Sequence, residues 1–238
     1  MKKFNFNERE IIVNNTWAGV LGAYMDDIPF RNHVGNGAVF EQDMILDILE
    51  PYIKRSKYIC DIGGHTGHHS LAYAHLNPDA NIYTFEPQTD IYKLLELNIY
   101  NNKPKTKNIQ ILNMALGNSH EVLTMKKDTF GGSAYIGEGG ESINVMKLDS
   151  LNLPGCDYMK IDVEGYEPLV INGGIETIKK FRPFICFEDN GSSVKNGITE
   201  LSTHEILEQL EYKIHPIVYD NFLAVPLVKS NFKNCSGA

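Results

Sequence analysis

The sequence predicts an α/β fold: a seven-stranded, mostly parallel sheet with helices on both faces and a C-terminal antiparallel hairpin. Three observations predict it. Short apolar runs alternate with stretches of helical period from Tyr58 onward. A glycine-rich turn, Gly63-Gly64-His65-Thr66-Gly67, follows the first of these runs. Two strand-like runs near the C-terminus flank Asp220-Asn221. Strands separated by helices imply right-handed βαβ units and hence a parallel sheet.

The elements follow in order. Residues 1–40, with Trp17, Tyr24 and Phe30, read as an irregular cap or extension preceding a domain over 41–238. In Phe40–Lys54, Met44, Ile45, Ile48 and Leu49 recur at helical spacing, and Pro51 falls near the end. Tyr58–Ile62 is the first core strand, Thr66–Leu76 a helix, Asn81–Phe85 the second strand, Thr89–Tyr100 a helix and Ile109–Leu116 the third strand. Over about 120–150, Val122–Met125 and Ile143–Leu148 bracket the glycine-rich stretch Gly131-Gly132 to Gly139-Gly140, a hairpin-like insertion. Tyr158–Val163 is the fourth strand, and a helix runs through Leu169 and Ile178. Pro183–Phe187, almost wholly apolar, suits a central parallel strand. A helix over Leu201–Leu210 precedes the hairpin of Tyr212–Tyr219 and Phe222–Val228.

The 238 residues suit one α/β domain with decorations. A net charge of −8 argues against broad nucleic-acid binding. No run is long enough to span a bilayer, and the N-terminal residues lack the apolar core of a signal peptide, so a cytoplasmic protein is expected. Cys60, Cys156, Cys186 and Cys235 form no Cys-x-x-Cys pair; Cys60 and Cys186 sit in apolar runs as buried thiols. His65, His68 and His69 cluster at the glycine turn, where shaping that turn suits them better than metal ligation.

The turn carries the chemistry. In an open α/β sheet, ligands bind outside the carboxyl ends of the strands. A dinucleotide site calls for Gly-x-Gly-x-x-Gly opening a helix. Here the first glycine of that pattern falls on Asp61, in Asp61-Ile62-Gly63-Gly64-His65-Thr66-Gly67. A carboxylate there repels a pyrophosphate but attracts the ammonium of a methionine moiety. Glu86, at the tip of the second strand, is placed to take the two hydroxyls of a ribose. An acid at Glu86 is compatible with NAD as well, so it is Asp61 that favours S-adenosylmethionine over a dinucleotide.

By its motifs the chain resembles the FkbM-like family of S-adenosylmethionine-dependent class I methyltransferases. The resemblance covers roughly residues 58–190. It rests on Asp61-Ile62-Gly63-Gly64-His65-Thr66-Gly67, Thr84-Phe85-Glu86-Pro87, Ala115-Leu116-Gly117, Lys147-Leu148-Asp149-Ser150-Leu151, Met159-Lys160-Ile161-Asp162-Val163-Glu164-Gly165-Tyr166-Glu167, Asn172-Gly173-Gly174 and Arg182-Pro183 leading to Glu188. It implies a Rossmann-like sheet ending in the antiparallel hairpin. It also implies cofactor contacts from Asp61, Gly63, Glu86 and the backbone near Ala115, with Gly64, Thr66, Gly67 and Pro87 completing the set. Glu41 is expected to close over the methionine end. Where the family pattern more often has Ala-Asn, this chain has Gly64-His65.

Side chains alternate along a strand, so Lys160, Asp162 and Glu164 tend to share a face at the end of the fourth strand. Glu188 ends the neighbouring strand. Methyl transfer to a hydroxyl needs alignment and a proton acceptor. Asp162 or Glu164 is the expected acceptor, with Lys160 and Glu188 organising the polar network. Asp162, Asp189 and Asn190 are oxygen donors at adjacent strand ends, a set that suits Mg²⁺. The expected function is O-methylation of a small-molecule or glycan acceptor, the acceptor class coming from the resemblance alone. The alternatives are an NAD-dependent oxidoreductase or epimerase, which lacks its glycine pattern here, and a non-catalytic binding module, which predicts a degraded turn. An RNA ribose methyltransferase would need a second lysine beside Lys160.

Overall fold

The computed structural model describes residues 1–103, 105–127, 134–136, 139–200 and 202–227. Expectations for residues 128–133 and 137–138 of the insertion, for Leu201, and for Val228 and the tail with Cys235 lie outside the described residues.

The N-terminal 24 residues are not irregular but form a three-stranded antiparallel meander: β1 (Lys2–Phe6), β2 (Arg9–Thr16) and β3 (Gly19–Tyr24). The β1–β2 turn places Asn7 and Glu8 at φ 48° and 63°, the paired left-handed conformation of a two-residue hairpin. Helix α1 (Ile28–Gly35) follows, its first turn capped by Asp27, whose side chain accepts from the Phe30 amide. The expected helix over 40–54 begins later. It is a π-helical turn, Met44–Leu49, running into α2 (Glu50–Lys54). Pro51 has no N–H to return to the preceding turn, and the wider winding before it accommodates that loss.

The core sheet then builds up through β4 (Tyr58–Ile62), α3 (His68–Leu76), β5 (Asn81–Phe85), α4 (Thr89–Asn101) and β6 (Ile109–Leu112). The third strand is shorter than its apolar run. Asn113 donates to the carbonyls of Glu86 and Pro87, which turns the chain out of the sheet. The rest of that run, β7 (Ala115–Leu116), joins a second, four-stranded sheet with β8 (Glu121–Lys127), β9 (Ala134–Ile136) and β10 (Glu141–Met146), in the order β7-β10-β8-β9. A 3₁₀ turn at Leu148–Leu151 leads to β11 (Tyr158–Ile161).

The single helix expected after β11 is two, α5 (Glu167–Gly173) and α6 (Ile175–Phe181). The chain bends where Gly173 packs on the Gly117 backbone: a Cβ there would meet the Gly117 carbonyl at 1.8 Å. After β12 (Phe184–Glu188) come a short α7 (Ser192–Lys195), α8 (Thr203–Gln209) and the hairpin of β13 (Tyr212–Pro216) and β14 (Asn221–Pro226).

The seven-stranded sheet runs β13-β14-β12-β11-β4-β5-β6, parallel from β12 to β6 and antiparallel at β14 and β13. One face buries Ile59 and Ile82 against α2, α3 and α4; the other buries Cys60, Met159 and Ile185 against α5, α6 and α8. The strand order reverses between β4 and β11, so the carboxyl ends of these two strands open a crevice. Cys60, Cys156 and Cys186 are buried free thiols. Among the described residues no helix is long and apolar enough to cross a membrane.

The N-terminal sheet docks on α4 through two asparagines one turn apart. Asn98 accepts from the Gly22 amide (2.8 Å) and donates to the carbonyls of Gly22 (3.0 Å) and Thr66 (2.8 Å). Asn102 bonds the Val20 amide and carbonyl in the same way, at 2.8 and 2.7 Å. These side chains act as the missing neighbour of edge strand β3. Asn98→Ala leaves three backbone groups without their partner and is expected to cost about 3 kcal/mol of stability in urea unfolding, from about 1 kcal/mol for each buried group.

Candidate active site

The crevice between the carboxyl ends of β4, β5 and β11 opens into a cleft. One wall is Ile62, Gly63, His65, Glu86, Pro87 and Gln88. The opposite wall is Asp162, Val163, Glu164 and Tyr166. Leu123, Met125, Ile143 and Val145 of the second sheet close one end, beside Met114 and Ala115, and Phe30 of α1 closes another. The polar groups on these walls include three carboxylates, and no lysine or arginine lies among the described lining residues.

The glycine turn is shaped by packing. Gly63 sits at φ +82°, and a Cβ there would meet the Asp162 carbonyl at 1.8 Å, so only glycine lets β4 and the end of β11 approach this closely. Gly64 packs on Thr84 and Gly67 on Leu95, so both fit the turn to its own scaffold rather than lining the cleft. Thr66 is fully buried, and its carbonyl accepts from Asn98.

Glu86 is 3% exposed and accepts from the His65 amide (3.0 Å) and the Gln88 amide (2.8 Å), one through each oxygen. Burial pushes its carboxyl up to about 8 despite these two bonds. Each oxygen keeps a second lone-pair site, so two hydroxyls fit alongside the amides. Asp61 stands behind Gly63, wholly buried; Oδ2 accepts from the Ser70 hydroxyl at 2.5 Å and Oδ1 has no partner among the described residues.

On β11, Lys160 lies in register with Asp61 and Cys186. Its ammonium is buried and donates to Asp162 Oδ2 at 2.7 Å. Burial opposes its charge, but Asp162, Glu41 and Asp61 outweigh that and raise its pKa above the ordinary lysine value. Glu41 sits in a strained left-handed conformation, φ 55°, between two partners. Asn221 donates to its Oε1 at 3.1 Å, and His69 Nε2 lies 3.2 Å from its Oε2. Burial would raise Glu41, but His69 and the Lys160 charge prevail and hold it at about 2. Glu41 is therefore tied to the Lys160 network beneath the cleft and does not line it. Glu188 also stands off the wall; burial, then repulsion from Asp162 and Glu164, push it up to about 8.

The structure thus brings Gly63, Glu86, Pro87, Ala115, Asp162 and Glu164 to one cleft, and sets Asp61, Lys160, Glu41 and Glu188 behind or beside it. The Mg²⁺ expectation fares differently. Asp162 is held by Lys160, Asp189 Oδ2 lies 3.1 Å from His204 Nδ1, and Asn190 donates to Glu188 and accepts from the Ser192 amide. Among the described residues no group of three or more His, Cys, Asp or Glu side chains is placed to hold a metal ion. Each of the expected fourth- and fifth-strand donors thus engages a separate partner.

Several site residues escape a reading of the sequence. Glu167 caps the loop after β11 by accepting from the Val163 and Gly165 amides. His68 Nδ1 accepts from the Phe40 amide, so all three clustered histidines face the N-terminal segment. Their spacing was visible; their partners, Asp27, Phe40 and Glu41, are distant in sequence.

Residues 61–214, more than half the chain, match the methyltransferase FkbM domain. The fold is similar to that of a methyltransferase FkbM from Methylobacillus flagellatus KT, at 19% identity and a TM-score of 0.50 over 71% of this chain and 43% of that one. This chain thus spans less than half of that protein's length. It is also similar to Aeropyrum pernix fibrillarin, solved with bound S-adenosyl-L-methionine (12% identity, TM-score 0.48, 94% of this chain and 80% of that one). No curated protein matches the sequence. The matched span begins at Asp61 and takes in Gly63, Glu86, Asp162 and Glu188, the residues from which the cleft and its carboxylate network are built, and the chain belongs to the FkbM methyltransferase family.

Proposed function

We propose that the chain is an S-adenosylmethionine-dependent methyltransferase that methylates a hydroxyl of a sugar, a glycan or a glycosylated small molecule. The observation that carries the cofactor is the lining of the cleft: the carboxylates of Asp162 and Glu164 face it beside the Glu86 carboxyl, and no described lysine or arginine does. That lining suits a cationic sulfonium nucleoside and opposes a pyrophosphate, which disfavours the NAD-dependent alternative. Bound S-adenosylmethionine supplies an electrophilic methyl group. Glu86 takes the ribose hydroxyls, and the buried Asp61 oxygen, without a hydrogen-bond partner among the described residues, lies behind the turn.

The acceptor enters beside Asp162 and Glu164. Lys160 fixes Asp162 by charge and hydrogen bond. The hydroxyl proton passes to Asp162 or Glu164, while Lys160 and Glu188 set the charge of the network. We place the protein in the cytoplasm, acting on a small polar acceptor. Asp162→Asn and Glu164→Gln, assayed separately for methyl transfer to a panel of glycosides, are expected to bind S-adenosylhomocysteine as the wild type does. At least one is expected to lose about 100-fold or more in kcat. Full turnover by both variants would sink the assignment of the proton.

A further inference from the structure

The loop after β11 is held in an unfavourable shape. Glu164, which lines the cleft, has φ 55°, a left-handed conformation that is costly for a residue bearing a Cβ. Gly165 follows at φ 97°. Such strain persists only where the surroundings over-determine it. Three hydrogen bonds do so here. Glu167, 3% exposed, accepts through its Oε1 from the amides of Val163 (2.9 Å) and Gly165 (3.3 Å), one on either side of Glu164. Asn196, at the end of α7, donates its side-chain amide to the Glu164 carbonyl at 2.8 Å. Helix α7 also presses on the loop at Gly165, where a Cβ would meet the Ser192 carbonyl carbon at 2.5 Å. The start of α7 is fixed in turn: Asn190 accepts from the Ser192 amide (2.9 Å) and donates to Glu188 (3.1 Å). The end of β12 thus braces the loop at the end of β11. Neither Glu167 nor Asn196 lines the cleft.

We propose that Asn196 and Glu167 are positioning residues that hold Glu164 at the cleft wall as the acceptor of the substrate's hydroxyl proton. The inference rests on the reading of the cleft as a methyl-transfer site and narrows it. Of the two carboxylates named there, Glu164 is the one whose backbone is strained and pinned at its own carbonyl and at both flanking residues. A proton acceptor has to reach the hydroxyl while the oxygen stays in line with the methyl group. Relaxation of Glu164 to an ordinary φ re-aims its Cα–Cβ bond and loses that alignment.

The test is methyl transfer by the full chain from S-adenosylmethionine to a panel of p-nitrophenyl glycosides, with kcat and KM taken on the best of them. Asn196→Ala is expected to lower kcat about ten-fold, with KM and the affinity for S-adenosylhomocysteine changed by less than about two-fold. Glu167→Ala is expected to act in the same direction. Glu167→Gln, whose amide oxygen still accepts from both backbone amides, is expected to recover most of the lost kcat. In a Glu164→Gln background Asn196→Ala is expected to change kcat by less than about two-fold, because the group it positions is gone. If Glu167→Ala does not fold, the Asn196 variants decide alone. Wild-type kcat in Asn196→Ala, or the same ten-fold loss in the Glu164→Gln background, overturns the proposal. Full turnover by Glu164→Gln beside an inactive Asp162→Asn overturns it too, and leaves the methyl-transfer reading standing. Absence of wild-type turnover on every glycoside overturns the sugar-acceptor reading and this inference with it.

Discussion

Lys160→Met is expected to lower stability by about 3–5 kcal/mol at neutral pH, because it removes one partner from a buried ionic cluster. Lys160 is 2% exposed, bonds Asp162 at 2.7 Å, and feels the carboxylates of Asp162, Glu41 and Asp61. Methionine fills the volume but leaves those carboxylates without a cation. The pH dependence has a definite sign. Glu41 is depressed to about 2 in the folded protein, so it contributes stability above its ordinary pKa of 4.5, lost as pH falls toward 2. Part of that contribution comes from Lys160. The deficit of the variant is therefore largest above about pH 5 and narrows in acid. Urea unfolding at pH 7.5 and pH 4 measures it; equal stability of variant and wild type at pH 7.5 would refute the cluster.

Gly63→Ala is expected to cost about 3 kcal/mol and to weaken cofactor binding by at least about ten-fold. The residue holds φ +82°, and its Cβ would sit 1.8 Å from the Asp162 carbonyl. Left-handed strain costs about 1 kcal/mol and overpacking about 1–3. The atom that must give way is backbone, and it belongs to the residue that begins the opposite wall of the cleft. Relief of the clash therefore widens the site. Thermal unfolding and titration with S-adenosylhomocysteine read the two effects; a variant unchanged in both would show that the close approach of these strands is dispensable.

What was legible in the sequence follows from how local each feature is. The run Ile59–Ile62 and its glycine turn announce a buried strand followed by a helix, and the alternation of such units dictates a parallel sheet. Glu86 and Asp162 were legible because a strand end fixes where its last side chains lie. The break between β6 and β7 was not, since it depends on Asn113 reaching the carbonyls of Glu86 and Pro87. Nor was the N-terminal meander. Its strands are short and half-polar, and edge strand β3 is completed by Asn98 and Asn102 from a helix about 80 residues away. The histidines at the glycine turn were visible as a cluster but not as a seam, because each meets a residue of the N-terminal segment. Asp189 and Asn190 were placed correctly in strand order, but adjacency at strand ends does not reveal that His204 and Glu188 engage them.

The most direct test of the central claim is calorimetric titration of the purified chain with S-adenosylmethionine, S-adenosylhomocysteine and NAD, beside a Glu86→Ala variant. Saturable binding of the two sulfur nucleosides, weakened about ten-fold or more in the variant, with NAD silent, is the predicted result. Binding of NAD alone, or of the sulfur nucleosides with equal affinity in both proteins, would contradict the account of the cleft.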